Sequence, residues 1–198
     1  MSYVAAIDGA CGATGHLEWR DGHVITCRTI KTPTSMLDQQ RWDTIADEVY
    51  PSSAVMWGEP TLIMIEQPYG QSISGQAVLL NGGLFAVITH QLWKAGVPFV
   101  VVQPSQLKQY ATGMGDANKK REVVPAVRER YAGVIPPLRT EDECDAAAML
   151  AMALDYYGRP LCPVPDKNRE VLYAKHTGRH KLAGQPKIQW PEWSFDGQ

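Results

Sequence analysis

Two apolar runs of this 198-residue chain end in a carboxylate: Tyr-Val-Ala-Ala-Ile-Asp at 3–8 and Thr-Leu-Ile-Met-Ile-Glu at 61–66. A third acidic group, Glu141-Asp142-Glu143-Cys144-Asp145, opens a run rich in Ala, Met and Leu. Asp142 and Asp145 are three apart, so on a helix they project from the same face. Glu141 and Glu143 are expected only to complement the helix dipole. Asp142 and Asp145 are expected to do more, because Ala146–Leu154 is almost wholly apolar and its burial points the first-turn acids at a sheet edge. Asp8, Glu66, Asp142 and Asp145 cannot converge as four unpaired charges. Either their pKa values rise or a cation joins them. All-oxygen donors select a hard cation, Mg²⁺ with Mn²⁺ as its substitute, over Zn²⁺. Two such ions about 4 Å apart suit phosphodiester hydrolysis, one activating water and the other stabilising the leaving 3′ oxygen.

The elements that would position these acids can be read from the apolar pattern. Tyr3–Asp8 and Thr61–Ile65 read as strands buried on both faces. His16–Arg20 and His23–Lys31 read as a hairpin turning at Asp21-Gly22. Ser35 is a candidate N-cap for a helix from Met36 to Val49. A second helix is expected over Gln76–Ala95, a strand over Phe99–Val102 and a short helix from Pro104-Ser105. Val123, Val127 and Tyr131 share a further helix face, with Pro125 delaying or kinking its start. A last helix is expected from Glu141 to Tyr157. The result is an α/β fold with a mixed sheet, residues 1–158, and strand ends of such sheets are where ligand crevices form.

From Arg159 onward the pattern breaks into prolines and scattered charges, a basic extension over 159–198 expected to wrap the body or to be mobile. It carries seven basic residues against four acids, whereas the whole chain has 19 Lys+Arg against 21 Asp+Glu. An acidic body with a basic tail suits a polyanionic partner. Trp190, Trp193 and Phe195 are candidate anchors for its end. Cys11, Cys27, Cys144 and Cys162 form no Cys-x-x-Cys pair and are read as reduced thiols of a cytoplasmic protein. His176 and His180 lack a matching cysteine pair and are read as tail histidines. No apolar run approaches the ~20 residues of a membrane helix, and no secretory leader is expected.

The sequence resembles the RuvC-like Holliday junction resolvases of the RNase H-like superfamily over roughly residues 3–158. Four blocks carry the resemblance: Ala-Ile-Asp-Gly-Ala-Cys-Gly-Ala-Thr-Gly (6–15), Ile-Glu-Gln-Pro-Tyr (65–69), Pro-Ser-Gln-Leu-Lys-Gln-Tyr-Ala-Thr-Gly-Met-Gly-Asp-Ala-Asn-Lys (104–119) and Asp-Glu-Cys-Asp-Ala-Ala-Ala-Met-Leu-Ala-Met-Ala-Leu (142–154). The resemblance implies an RNase H-like five-stranded mixed sheet flanked by helices. It makes Asp8, Glu66, Asp142 and Asp145 metal ligands of an Mg²⁺-dependent endonuclease acting on branched DNA, four-way junctions above all. Lys108 and Lys119 fall on the family's phosphate-contacting lysines. Thr112, Gly113 and Gly115 fall on its glycine turn, whose backbone N–H groups can approach a phosphate. Lys120 and Arg121 extend that DNA-contacting set, and Tyr69 matches an aromatic that can stack on a base near the junction centre. Where the family has Asp-Pro-Gly after strand one, this chain has Asp8-Gly9-Ala10. The tail has no counterpart in the short family members and reads as a phage-type or lineage-specific extension.

Junction cleavage implies a homodimer presenting two sites to symmetric strands. The helix at 76–95 offers a surface for it, with Leu79, Leu80, Leu84, Phe85, Ile88 and Leu92 in a wide apolar stripe, part of which packs on the sheet. A broader branched-DNA or flap nuclease on the same fold is the nearest alternative. A non-catalytic DNA-binding protein is another. Asp8-Gly9 with Thr14-Gly15 also resembles the phosphate turn of actin-like ATPases, but those duplicate the domain and run much longer.

Overall fold

The computed structural model describes residues 2–56, 58–59, 61–68, 74–177 and 182–195. Tyr69 and His180 lie outside them. Five strands form one sheet in the order β3-β2-β1-β4-β5: β1 (Tyr3–Asp8), β2 (Thr14–Arg20), β3 (His23–Ile30), β4 (Thr61–Glu66) and β5 (Phe99–Val102). β1, β2 and β3 are antiparallel, while β1, β4 and β5 run parallel. The β2–β3 hairpin turns at Asp21 and Gly22, both at positive φ (48° and 99°), as tight two-residue hairpins require.

Alternation along the central strands fills two cores. Val4 and Ala6 of β1, with Leu62 and Met64 of β4, face helix α6 (Glu141–Tyr156). Ala5, Ile7, Ile63 and Ile65 face α1 (Asp38–Val49) and α3 (Gly75–Lys94) on the other side. Two close approaches fix these layers. A Cβ on Gly15 would stand 2.0 Å from the Asp142 carbonyl oxygen, so only glycine lets β2 meet the start of α6. A Cβ on Gly83 would stand 2.3 Å from the Trp42 ring, so α3 lies flat on α1, where the Trp42 indole donates to the Leu80 carbonyl at 3.0 Å.

Several expectations are corrected. Ser35 does not cap α1: Pro33–Met36 closes as a turn, and Leu37 is the N-cap, its N–H donating to the Gln40 side chain. β2 begins at Thr14, two residues earlier than expected. A short helix α2 (Ser52–Met56) that was not expected follows α1, while α4 (Pro104–Thr112) follows β5 as expected. Pro125 delays its helix: a π-helical turn, Lys119–Val123, comes first, and Pro125 is the second residue of α5 (Val124–Arg130).

The segment after Gly158 folds onto the body and adds a helix that was not expected, α7 (Asp166–Tyr173). Val171, Leu172 and Ile188 are buried in the α6-side core. The Trp190 ring stacks on Tyr156 with centroids 4.1 Å apart, and its indole N–H donates to the Leu172 carbonyl. Trp193 and Phe195 join the same aromatic group, Phe195 reaching Trp19.

Candidate active site

Parallel pairing sets Ile7 opposite Ile65, so Asp8 and Glu66 leave adjacent strands at the same height. α6 crosses beside them and brings Asp145. One carboxylate oxygen from each of Asp8, Glu66 and Asp145 lies within 4.8 Å of the other two. Asp142 stands outside that triad, its side chain 26% exposed against 8% for Asp8 and 5% for Asp145. Lys119 links Asp142 to Asp8 and Asp145. Its Nζ is 2.6 Å from Asp145 Oδ2, 3.7 Å from Asp8 Oδ2 and 3.8 Å from Asp142 Oδ1.

One ammonium does not neutralise this group. Burial, then the charge of Glu66, holds the Asp8 carboxyl well above the usual carboxylate range. Burial and the Asp8 charge push Asp145 up to about 7. Burial raises Glu66 and Asp142 as well. Burial alone would lower Lys119, but the carboxylates around it, Asp8 first, win and raise it. Asp8 Oδ2 and Asp145 Oδ1 are buried without a hydrogen-bond donor. Three convergent carboxylates, two of them with an unpartnered buried oxygen, fit a hard divalent cation, which is bound by oxygen alone.

Lys108, on α4, lines a cleft of about 600 Å³ together with Glu66, Gly115, Lys119 and Asp145. Both lysines of the family motif therefore border one opening onto the acids. The turn between them is already committed to the fold. Thr112 Oγ donates to the Lys108 carbonyl at 2.8 Å and accepts from Met114 N–H at 3.1 Å. Gly113, at φ 83°, closes α4 with its N–H bonded to the Gln109 carbonyl at 2.7 Å. The amides of residues 113 and 114 are thus spent internally, and Gly115 serves a close approach to Ser105. Lys120 is exposed and pairs with Glu141 at 3.4 Å; the Arg121 N–H donates to Asn118 Oδ1.

Residues not singled out from sequence hold the acids in place. Thr140 caps α6 by accepting from Glu143 N–H, and Glu143 reaches back to Thr140 N–H. Thr29 of β3 donates to Glu143 at 2.9 Å and bonds Thr140 at 2.7 Å, fastening the helix start to the sheet. Glu143 is thus a structural anchor beyond its dipole role. The loop after Asp8 is gripped at Cys11: Asn81 accepts from its N–H at 3.1 Å, and Thr32 and Arg41 donate to its carbonyl. These side chains hold the turn that follows Asp8. Asn81 carried a signal, being a polar residue within an apolar helix; Arg41 carried none.

No family model matches the chain. Over 130 residues it is 28% identical to the crossover junction endodeoxyribonuclease RuvC of Synechococcus sp. (strain WH7803), an alignment covering 66% of this chain and 80% of that protein. Its fold is similar to that of Thermus thermophilus RuvC at a TM-score of 0.61 and 21% identity, covering 79% of this chain and 97% of that one. It is equally similar, at 0.61 and 19% identity, to T. thermophilus RuvC in complex with Holliday junction substrate, covering 80% of this chain and 98% of that one. In its fold the chain is RuvC-like.

Proposed function

We propose that the chain is a metal-dependent endonuclease that resolves four-way DNA junctions by phosphodiester hydrolysis. One observation carries the reading: Asp8, Glu66 and Asp145 converge from two strands and a helix, with an oxygen of Asp8 and one of Asp145 left unpartnered, and Glu66 and Asp145 line a cleft that Lys108 and Lys119 also border. Asp8, Glu66 and Asp145 would hold the cation, with Asp142 at its open side. Mg²⁺ suits the donors, and Mn²⁺ shares their chemistry. When bound, such an ion activates water and stabilises charge on the leaving oxygen. The protein supplies the rest. Lys108 holds a phosphate at the cleft mouth, and Lys119 offsets charge that develops on it. Lys120 and Arg121 meet the flanking backbone.

Junction specificity requires a second copy. Leu84, Ile88 and Leu92 turn α3 onto the sheet, while Leu79 and Trp93 on its outer side are 75% and 70% exposed. That outer side is the proposed homodimer surface.

The test is a labelled immobile four-way junction beside a matched linear duplex, each with Mg²⁺, Mn²⁺ or EDTA. Paired, metal-dependent nicks in the junction alone support the reading. Equal cutting of flaps or forks makes the enzyme a general branched-DNA nuclease. Binding without cutting under both metals removes the catalytic assignment.

A further inference from the structure

Lys119 is tied into the carboxylates more closely than a residue waiting for a phosphate would be. Its ammonium approaches three of the four acids within 3.8 Å and is closest to Asp145, one of the three whose oxygens converge. An ammonium 2.6 Å from Asp145 Oδ2 and a divalent ion drawing on that oxygen would crowd two positive charges onto one ligand. The backbone beneath it is fixed. Asn118 caps the π-helical turn by accepting from Arg121 N–H, and Glu122 accepts from Asn118 N–H at 2.5 Å. Such turns are rare and gather at functional sites. The side chain itself is 37% exposed, on the border of the cleft that Lys108 lines. A pinned backbone with a long, part-exposed side chain leaves one motion available, rotation of the lysine out of the acids and into the cleft.

We propose that Lys119 is an exchangeable internal counter-ion: it occupies the carboxylates until a divalent cation displaces it, and the displaced ammonium is then delivered to the cleft. Cation entry and presentation of a phosphate-binding charge become one event. This rests on the reading of the acids as a cation site.

Two readouts without DNA test it. Mn²⁺ binding is followed by electron paramagnetic resonance for the intact protein, Lys119→Met and Asp145→Asn. Acetylation of Lys119 by an amine-reactive ester is followed by mass spectrometry with and without Mn²⁺, using the exposed Lys94 as internal reference. Lys119→Met should bind Mn²⁺ about tenfold tighter, the loss of one competing ion pair worth roughly 1.4 kcal/mol. Mn²⁺ should raise Lys119 acetylation severalfold relative to Lys94. Unchanged affinity overturns the proposal. Tighter binding with unchanged acetylation also overturns it, since the lysine would then stay among the acids and merely repel the ion. Mn²⁺ binding to the intact protein that Asp145→Asn loses secures the cation site independently. Absence of binding in every variant overturns the cation site itself and the exchange with it.

Discussion

α6 carries a buried aspartate near each end, and the two have opposite surroundings. Asp155, near the C-terminus, is fully satisfied: Arg169 of α7 meets it with Nε at 3.0 Å from both oxygens and Nη2 at 2.8 Å, and the Tyr110 hydroxyl donates to it at 3.1 Å. Asp145, near the N-terminus, shares one ammonium with other acids and keeps an oxygen without a donor. A buried charge paired by a guanidinium fork fastens structure, here the added helix to the body. A buried charge left in excess is held there by the rest of the fold and is available for a ligand. The contrast separates a clamp from a site on the same helix.

The largest expected effect breaks the site alone. Asp8→Asn should lower junction cleavage by at least about a thousandfold, because it removes a charged ligand at little cost in shape. Gel-shift affinity and thermal midpoint should remain near those of the parent; cleavage at the parent rate would end the assignment. The clamp should break with the opposite signature. Arg169→Met leaves Asp155 buried and unpaired, at a cost of about 3 kcal/mol, which lowers the midpoint by roughly 6–12 °C. Differential scanning calorimetry checks it.

A smaller effect comes from protonation. Asp145 titrates at about 7 in the folded protein and near 3.9 unfolded, so between those values the folded state holds the extra proton. In chelator the parent therefore loses stability from this group as pH rises from about 4 to about 7, and Asp145→Asn does not. The midpoint difference should move in favour of Asp145→Asn across that window. A difference that is flat with pH would deny the raised pKa. His16 runs the other way. Buried and lowered to about 4, it costs stability as pH falls from about 6.5, and it is common to both proteins and cancels in the comparison. The smallest effect is Thr29→Val, which removes the bonds from β3 to Thr140 and Glu143. It should cost about 1 kcal/mol in urea unfolding, with a proportionally larger loss of cleavage as the α6 start loosens.

Asp8 and Glu66 were legible because each ends an uninterrupted apolar run, and a carboxylate at the end of a buried strand has few structural uses; Asp142 and Asp145 were legible because they open one. The sheet was legible for the same reason. α7 was not, because Asp-Lys-Asn-Arg-Glu-Val-Leu-Tyr offers only two adjacent apolar residues after Pro165, too few for a helical period. Its stability comes from Asp155 and Tyr110, more than ten and more than fifty residues upstream. The separation of Asp142 from the convergent triad was equally illegible. Spacing of i and i+3 gives a shared face, but the depth of each residue depends on how closely Gly15 lets the helix approach. The internal use of Thr112 and Gly113 was hidden because a helix-closing turn and a phosphate-facing turn draw on the same residue types.

The close contact of Gly15 with Asp142 joins residues far apart in the chain, and so do the three carboxylates, drawn from positions 8, 66 and 145. Synthesis delivers them in that order. A nascent chain that has emerged through β5 can pair its strands, yet it has no α6, no third carboxylate and no lid on the α6-side core. The site is consequently incomplete for most of translation, and a product truncated before Glu141 lacks the third carboxylate however well its sheet has formed.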